Sequence, residues 1–254
     1  MEVAAINQSV LEAPRQDAQR LYDLLANNYA RKAGPCLGIV RNALSADSVR
    51  IVLGKLAATR SATPECWAAM EDSLEVYWVS DSGRKDSRIY KRSTAYSYSA
   101  WQLANRAVIN IMEPMFKVQL AYLGLDVSGP LTYHKPSDGE YDRAVFHEYE
   151  CPEGFLTSHK DFDQPCPLQM LTLFRKGPPD VSGGLIVETE QGKVCLDDFG
   201  RPGDTFVFPF ETLHGVAMTA NSGSTNGSSK KGTRIVGTLI RSNKALDSRK
   251  VYTV

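Results

Sequence analysis

Between residues 124 and 242 the chain breaks into eight short runs rich in β-branched and aromatic residues, each bounded by turn residues, and this rhythm constrains the fold more than any other feature. The runs cover 144–150, 155–158, 168–174, 185–190, 193–196, 204–210, 215–219 and 233–242. Glu190-Gln191-Gly192 reads as a hairpin turn, and Pro178-Pro179-Asp180 and Ser182-Gly183-Gly184 read as loop punctuation. No such run can bury a core alone. Eight at this spacing predict a double-sheet jelly roll, cupin-like, with an interior able to hold a small ligand.

The first half has a different period. In 14–33 the apolar residues Ala18, Leu21, Leu24, Leu25 and Tyr29 recur at three- and four-residue steps and stop at Gly34-Pro35, which predicts an amphipathic helix. Ser45 offers an N-cap for a helix over 49–59, Thr63-Pro64-Glu65 opens a shorter one, and 98–123 allows a long helix kinked at Pro114. A strand is expected at 74–79. The polar stretch 80–99, which mixes tyrosines with Arg84, Lys85, Arg88, Lys91 and Arg92, reads as a solvated loop or edge hairpin. Residues 221–231 read as a flexible loop between the last two strands. The expected architecture is α+β and mainly β, in one domain: residues 1–123 mostly helical and packed on one sheet, residues 124–254 the β core.

Lys plus Arg and Asp plus Glu number 29 each, so nucleic acid is not an expected partner; a small molecule is. No apolar run approaches the roughly 20 residues of a membrane span. The start Met1-Glu-Val-Ala-Ala-Ile6 lacks a secretory pattern, and a cytoplasmic protein with no membrane partner is expected. Cys36, Cys66, Cys151, Cys166 and Cys195 are scattered without a Cys-x-x-Cys pair, which favours reduced thiols.

Chemistry concentrates in Ser158-His-Lys-Asp-Phe162. Residues i and i+2 of a strand share a face, so His159 and Asp161 can grip one ion, and His214 can complete a three-point set. Two histidines and a carboxylate bind iron(II) facially and leave the opposite positions open; zinc or manganese suits the same donors.

Taken in order, His159-Lys-Asp161, Gly203-Asp204, His214 in Thr-Leu-His-Gly-Val and Arg234 in Thr-Arg-Ile-Val resemble the iron(II)/2-oxoglutarate-dependent dioxygenases, over about 145–242. The resemblance implies a double-stranded β-helix in which His159, Asp161 and His214 are the catalytic metal ligands. It implies iron(II), the cosubstrate 2-oxoglutarate and oxygen, with ascorbate as an accessory reductant. Arg234 would receive the far carboxylate of 2-oxoglutarate. One common branch of the family carries a serine two positions further on, where this chain has Val236. Tyr149 of His147-Glu-Tyr149 would then be the second anchor, with His147 near the keto acid end; the alternative for Tyr149 is a core aromatic bonded to backbone. The activity implied is oxidative decarboxylation of 2-oxoglutarate coupled to oxidation of a substrate carbon. Related halogenases replace the carboxylate ligand with a small residue, so Asp161 points to oxygenation rather than halogenation, with hydroxylation the usual outcome and desaturation or cyclisation left open.

A loose likeness to free amino acid hydroxylases points to a free amino acid or an amino-acid-derived metabolite as substrate. Arg88 or Arg92 could meet its carboxylate and Glu148 or Asp163 its amine, while Gln169 and Arg175 flank the next strand. His134 reads as structural, and Asp197-Asp198 as ordinary loop residues. Two alternatives stand beside this reading: an oxygenase acting on a peptidyl side chain or methylated nucleobase, and a non-catalytic jelly-roll binding module.

Overall fold

The computed structural model describes residues 3–7, 9–62, 76–79, 91–100, 103–128, 141–161, 166–220 and 232–242. The helix start at Thr63, most of 80–99, His134, Cys66 and the 221–231 loop lie outside them. The chain opens with strands β1 (Ala4–Ala5) and β2 (Val10–Pro14), then helix α1 (Ala18–Arg31), strand β3 (Leu37–Arg41) and helix α2 (Ala46–Ala62). Strands β4 (Val76–Val79), β5 (Lys91–Arg92) and β6 (Thr94–Ser99) precede helix α3 (Arg106–Tyr122). The second half is β7 (Tyr141–Cys151), β8 (Phe155–His159), β9 (Leu168–Arg175), β10 (Val181–Thr189), β11 (Gly192–Cys195), β12 (Thr205–Pro209), β13 (His214–Ala220) and β14 (Gly232–Ser242).

All eight expected strands form, and their order defines the barrel. One sheet runs β1-β2-β3-β12-β9-β14-β7-β6-β4 and the other β11-β10-β13-β8-β5. From β7 to β14 the chain alternates between the sheets, except for the β10–β11 hairpin that stays in the smaller one. This is a double-stranded β-helix, its two sheets enclosing one apolar interior. Leu171, Leu173, Leu185, Val187, Leu196, Phe206, Phe208, Val216 and Val236 fill that interior.

The outer face of the large sheet carries the helices, as period 2 requires: Leu168, Met170 and Val207 point out while their neighbours point in. The buried stripe of α1, Leu21, Tyr22, Leu25 and Ala26, covers them. Two hydrogen bonds pin the layer, from Tyr22 Oη (2.9 Å) and Gln119 Nε2 (3.0 Å) to the Leu168 carbonyl. Further along, Phe146 meets Tyr98 and Phe174 edge-on at centroid distances of 5.7 and 5.3 Å, under α2 and α3.

Four expectations are corrected. Residues 1–123 are less helical than the apolar period implies: β2 and β3 pair in parallel and β3 joins β12, so they extend the large sheet. The expected helix over 98–123 is shorter, and Tyr98 belongs to β6. Far from being solvated, β6 lies between β4 and β7, and Tyr96 and Tyr98 are fully buried because α2 and α3 cover that face. Ser182-Gly183-Gly184 lies within β10, paired to β13, and is not a loop. Cys36, Cys151, Cys166 and Cys195 are free thiols. Among the described residues, no helix is long and apolar enough to cross a membrane.

Candidate metal and cosubstrate site

His159 ends β8 and His214 begins β13, directly opposite each other in the register. The pairing then shifts between His214 and Val216, a bulge of the kind that re-aims side chains at the rim of a barrel. Their rings stand 4.5 Å apart, and the His214 ring also meets Phe208 edge-on at 5.0 Å. Asp161 lies two residues beyond the end of β8, its N–H bonded to the Phe210 carbonyl (3.0 Å), which clips the loop to the end of β12. The three side chains converge: Asp161 Oδ1 lies 3.4 Å from His159 Nε2 and Oδ2 lies 3.4 Å from His214 Nε2.

Both imidazoles are oriented from behind. His159 Nδ1 is 3.0 Å from the Thr157 carbonyl and His214 Nδ1 is 2.9 Å from the Thr212 carbonyl. A carbonyl only accepts, so each Nδ1 carries a proton, which makes Nε2 the ring nitrogen available to a metal ion. Ligands at about 2.1 Å from one ion and at right angles to each other sit roughly 3 Å apart. One ligand atom from each residue lies within 4.8 Å of the others, so the set fits a single ion after small adjustment. Burial works against ionisation of Asp161, but the two imidazoles outweigh it and hold its carboxyl well below the usual range. Burial likewise lowers the His159 pKa, and the Asp161 carboxylate more than reverses this.

Deeper in the barrel lies a second polar centre. Arg234 on β14 is fully buried and faces Tyr149 across the β7 pairing, its guanidinium carbon 5.8 Å from the centre of that ring. Val236 pairs with His147, so Arg234, Tyr149 and His147 share the inward face. The His147 and Tyr149 rings are 6.2 Å apart. Burial pushes the Tyr149 phenol up to about 12, so its hydroxyl is a donor at any ordinary pH.

Arg234 is held by Asp197. Nε and Nη2 donate to its two carboxylate oxygens at 2.6 and 2.7 Å, and Leu185 N–H donates to Oδ1 at 2.8 Å. Desolvation alone would depress the Arg234 pKa; the Asp197 carboxylate raises it above the ordinary value. Nη1 is buried and has no partner among the described residues. A buried N–H without an acceptor costs about 1–3 kcal/mol, a cost that an anionic or carbonyl oxygen placed against Nη1 would remove. Leu185 pairs with Val216, and Val187 with His214. One two-residue step, about 7 Å, therefore separates the charge pair from the histidines along the strands.

The other sequence candidates divide. Gln169 pairs with Phe208 and faces inward, its Oε1 buried and without a partner among the described residues. Glu148 is corrected: it points out of the other face of β7, where Tyr96 Oη (2.7 Å) and Arg60 Nη1 (3.1 Å) donate to it, and it cannot reach the cavity. Arg175 also lies outside, exposed and bonded to Thr233. Arg92 sits in β5 beside Phe155 of β8, while Arg88 and Asp163 lie outside the described residues. Asp197 is the residue that the sequence reading missed. The signal for it was Gly183-Gly184, since glycine inside a strand marks a close approach by another group.

No family model matches the sequence, and no curated protein matches it. Solved structures do. A Pseudomonas putida prolyl-4-hydroxylase aligns with a TM-score of 0.54 at 16% identity, over 86% of this chain and 97% of that one. A 2OG-Fe(II) oxygenase family protein of Caulobacter crescentus aligns at 0.52 and 12% identity, over 93% of this chain and 88% of that one. By its architecture, the chain has the double-stranded β-helix fold of the 2-oxoglutarate/iron(II) oxygenases.

Proposed function

We propose that this protein is an iron(II)- and 2-oxoglutarate-dependent oxygenase that hydroxylates a carbon of a small molecule, an amino acid or amino-acid-derived metabolite. The observation that carries the proposal is the convergence of His159, Asp161 and His214 at one end of a barrel whose depth holds a buried arginine with one nitrogen unfilled. Iron(II) held by those three side chains would, with 2-oxoglutarate and oxygen, couple decarboxylation of the keto acid to oxidation of a substrate carbon.

The chain's own residues have distinct tasks. Thr157 and Thr212 carbonyls fix the imidazole tautomers, and Asp161 contributes an anionic oxygen that stays ionised. Arg234 Nη1 receives the far carboxylate of the cosubstrate, with the Tyr149 hydroxyl as a second donor and His147 toward the keto acid end. The apolar wall of Phe208, Leu171, Val187 and Val216 keeps water from the reacting groups. Gln169 supports a substrate that carries an N–H or O–H donor, because its buried Oε1 lacks one.

The test is incubation with iron(II), 2-oxoglutarate, oxygen and a panel of free amino acids and their derivatives, following succinate. Substrate-dependent succinate that disappears in His159→Ala or Asp161→Ala is the expected result. Succinate formed only with a peptide or nucleic acid added would move the substrate to a macromolecule, and none with any substrate would remove the oxygenase reading.

A further inference from the structure

Asp197 lies in the short turn Leu196–Asp198 after β11, and its carboxylate is turned toward Arg234 and the Leu185 amide. It is 1% exposed and accepts three hydrogen bonds: two from Arg234 and one from the Leu185 amide. The backbone makes room for it. Gly184 has φ +147°, and a Cβ there would lie 2.2 Å from Asp197 Cγ. The acid therefore occupies a slot shaped by its neighbours rather than a solvated loop position.

The geometry of the pair fixes what Arg234 can do. A guanidinium presents a side edge, Nε with one Nη, and an end formed by the two Nη groups. Asp197 fills the side edge through Nε and Nη2. The end remains open, and Nη1 has no partner among the described residues. Arg234 is thus held by its side edge, with the end that carries Nη1 left without an acceptor among the described residues. Asp197 also balances the buried charge of Arg234, since an unpaired guanidinium there would be strongly destabilising.

Building on the oxygenase reading, we propose that Asp197 is a positioning residue. It locks the end of Arg234 at one depth, and so sets both the affinity for the far carboxylate of 2-oxoglutarate and the chain length of the 2-oxo acid accepted. An arginine stem carries large rotamer freedom, and removing that freedom before binding improves affinity.

The test is equilibrium binding without turnover. Manganese(II)-loaded protein is titrated under anoxia by calorimetry with 2-oxoglutarate, with 2-oxoadipate, which is one methylene longer, and with 2-oxobutyrate, which has no far carboxylate. Asp197→Asn should weaken 2-oxoglutarate about tenfold or more, leave 2-oxobutyrate unchanged, and narrow the preference for 2-oxoglutarate over 2-oxoadipate. Unchanged 2-oxoglutarate binding, or equal loss of both acids, would overturn the proposal while leaving the oxygenase reading intact. Should Asp197→Asn fail to fold, the unsubstituted protein still decides. A preference of at least tenfold for 2-oxoglutarate over 2-oxoadipate supports a locked arginine, and equal binding overturns it. If the unsubstituted protein binds none of the three acids, the oxygenase reading and this proposal fall together.

Discussion

Replacing Gly184 with alanine tests whether the Asp197 slot is as tight as its geometry implies. Gly184 has φ +147° and Gly192 has φ +121°, so alanine at either position incurs the backbone cost of an L-residue in that region, about 1–3 kcal/mol. The two sites differ in space. No atom lies within 4 Å of a Cβ added at Gly192, whereas one at Gly184 falls 2.2 Å from Asp197 Cγ and 2.6 Å from Oδ1. Asp197 must move, and it holds a fully buried arginine through two hydrogen bonds. Breaking one partner out of a buried ion pair costs about 3–5 kcal/mol, so Gly184→Ala should lose roughly 3 kcal/mol more than Gly192→Ala. For a chain of this size that is about 6–12 °C in Tm. Urea unfolding of the metal-free proteins at 25 °C, with thermal melts alongside, reads the difference. If the two variants agree within about 0.5 kcal/mol, which is the usual scatter of such comparisons, the slot has slack and the argument for a locked Asp197 fails.

Three further outcomes follow from other parts of the molecule. Glu148→Gln should lower stability by about 1–2 kcal/mol in urea unfolding, because Tyr96 and Arg60 lose a charged acceptor, yet leave metal and 2-oxo acid binding unchanged. Weakened binding in that variant would return Glu148 to the cavity. Asp204 takes hydrogen bonds from Arg41 Nη1 (2.7 Å), Asn42 N–H (2.9 Å) and Arg201 N–H (3.1 Å), so Asp204→Ala should cost about 2–3 kcal/mol. An unfolding free energy within about 0.5 kcal/mol of the parent's would contradict that role. Burial first, and then Asp197 and Asp198, push the Cys195 thiol up to about 11. At pH 8 its thiolate fraction is about one in a thousand, against roughly one in four for an ordinary cysteine. Iodoacetamide labelling read by peptide mass spectrometry should be at least about a hundredfold slower in native than in urea-unfolded protein; comparable rates would rule out the shift.

The eight strands of the barrel were legible because their alternation is local and their turns carry Gly, Pro and Asp. The metal set was legible because His-x-Asp keeps two donors close in the chain and a lone His-Gly at the next rim strand completes it, although Asp161 lies just past the end of β8 and not on the strand that period 2 assumed. What escaped depends on distant partners. Val10–Pro14 and Leu37–Arg41 are five-residue runs beside a strong helix, and become strands only by pairing with each other and with β12. Thr94–Ser99 reads as polar, yet Tyr96 and Tyr98 are buried because two helices remote in sequence cover them. Glu148 looked available to substrate, but one step of strand register turns it to the outer face. Asp197 was the hardest to foresee. An acid after a hairpin is ordinarily solvated, and it is Arg234, from a strand near the end of the described chain, together with the Leu185 amide that draws it into the interior.

The most direct test of the central claim is an anaerobic titration of the apo-protein with iron(II), followed by 2-oxoglutarate, watching the visible charge-transfer absorption of an iron(II)–2-oxo acid chelate. The account predicts one iron per chain and a band that saturates at one equivalent of 2-oxoglutarate, with both absent from folded His214→Ala. A protein that binds no iron, or a His214→Ala variant that gives the same band, would contradict it.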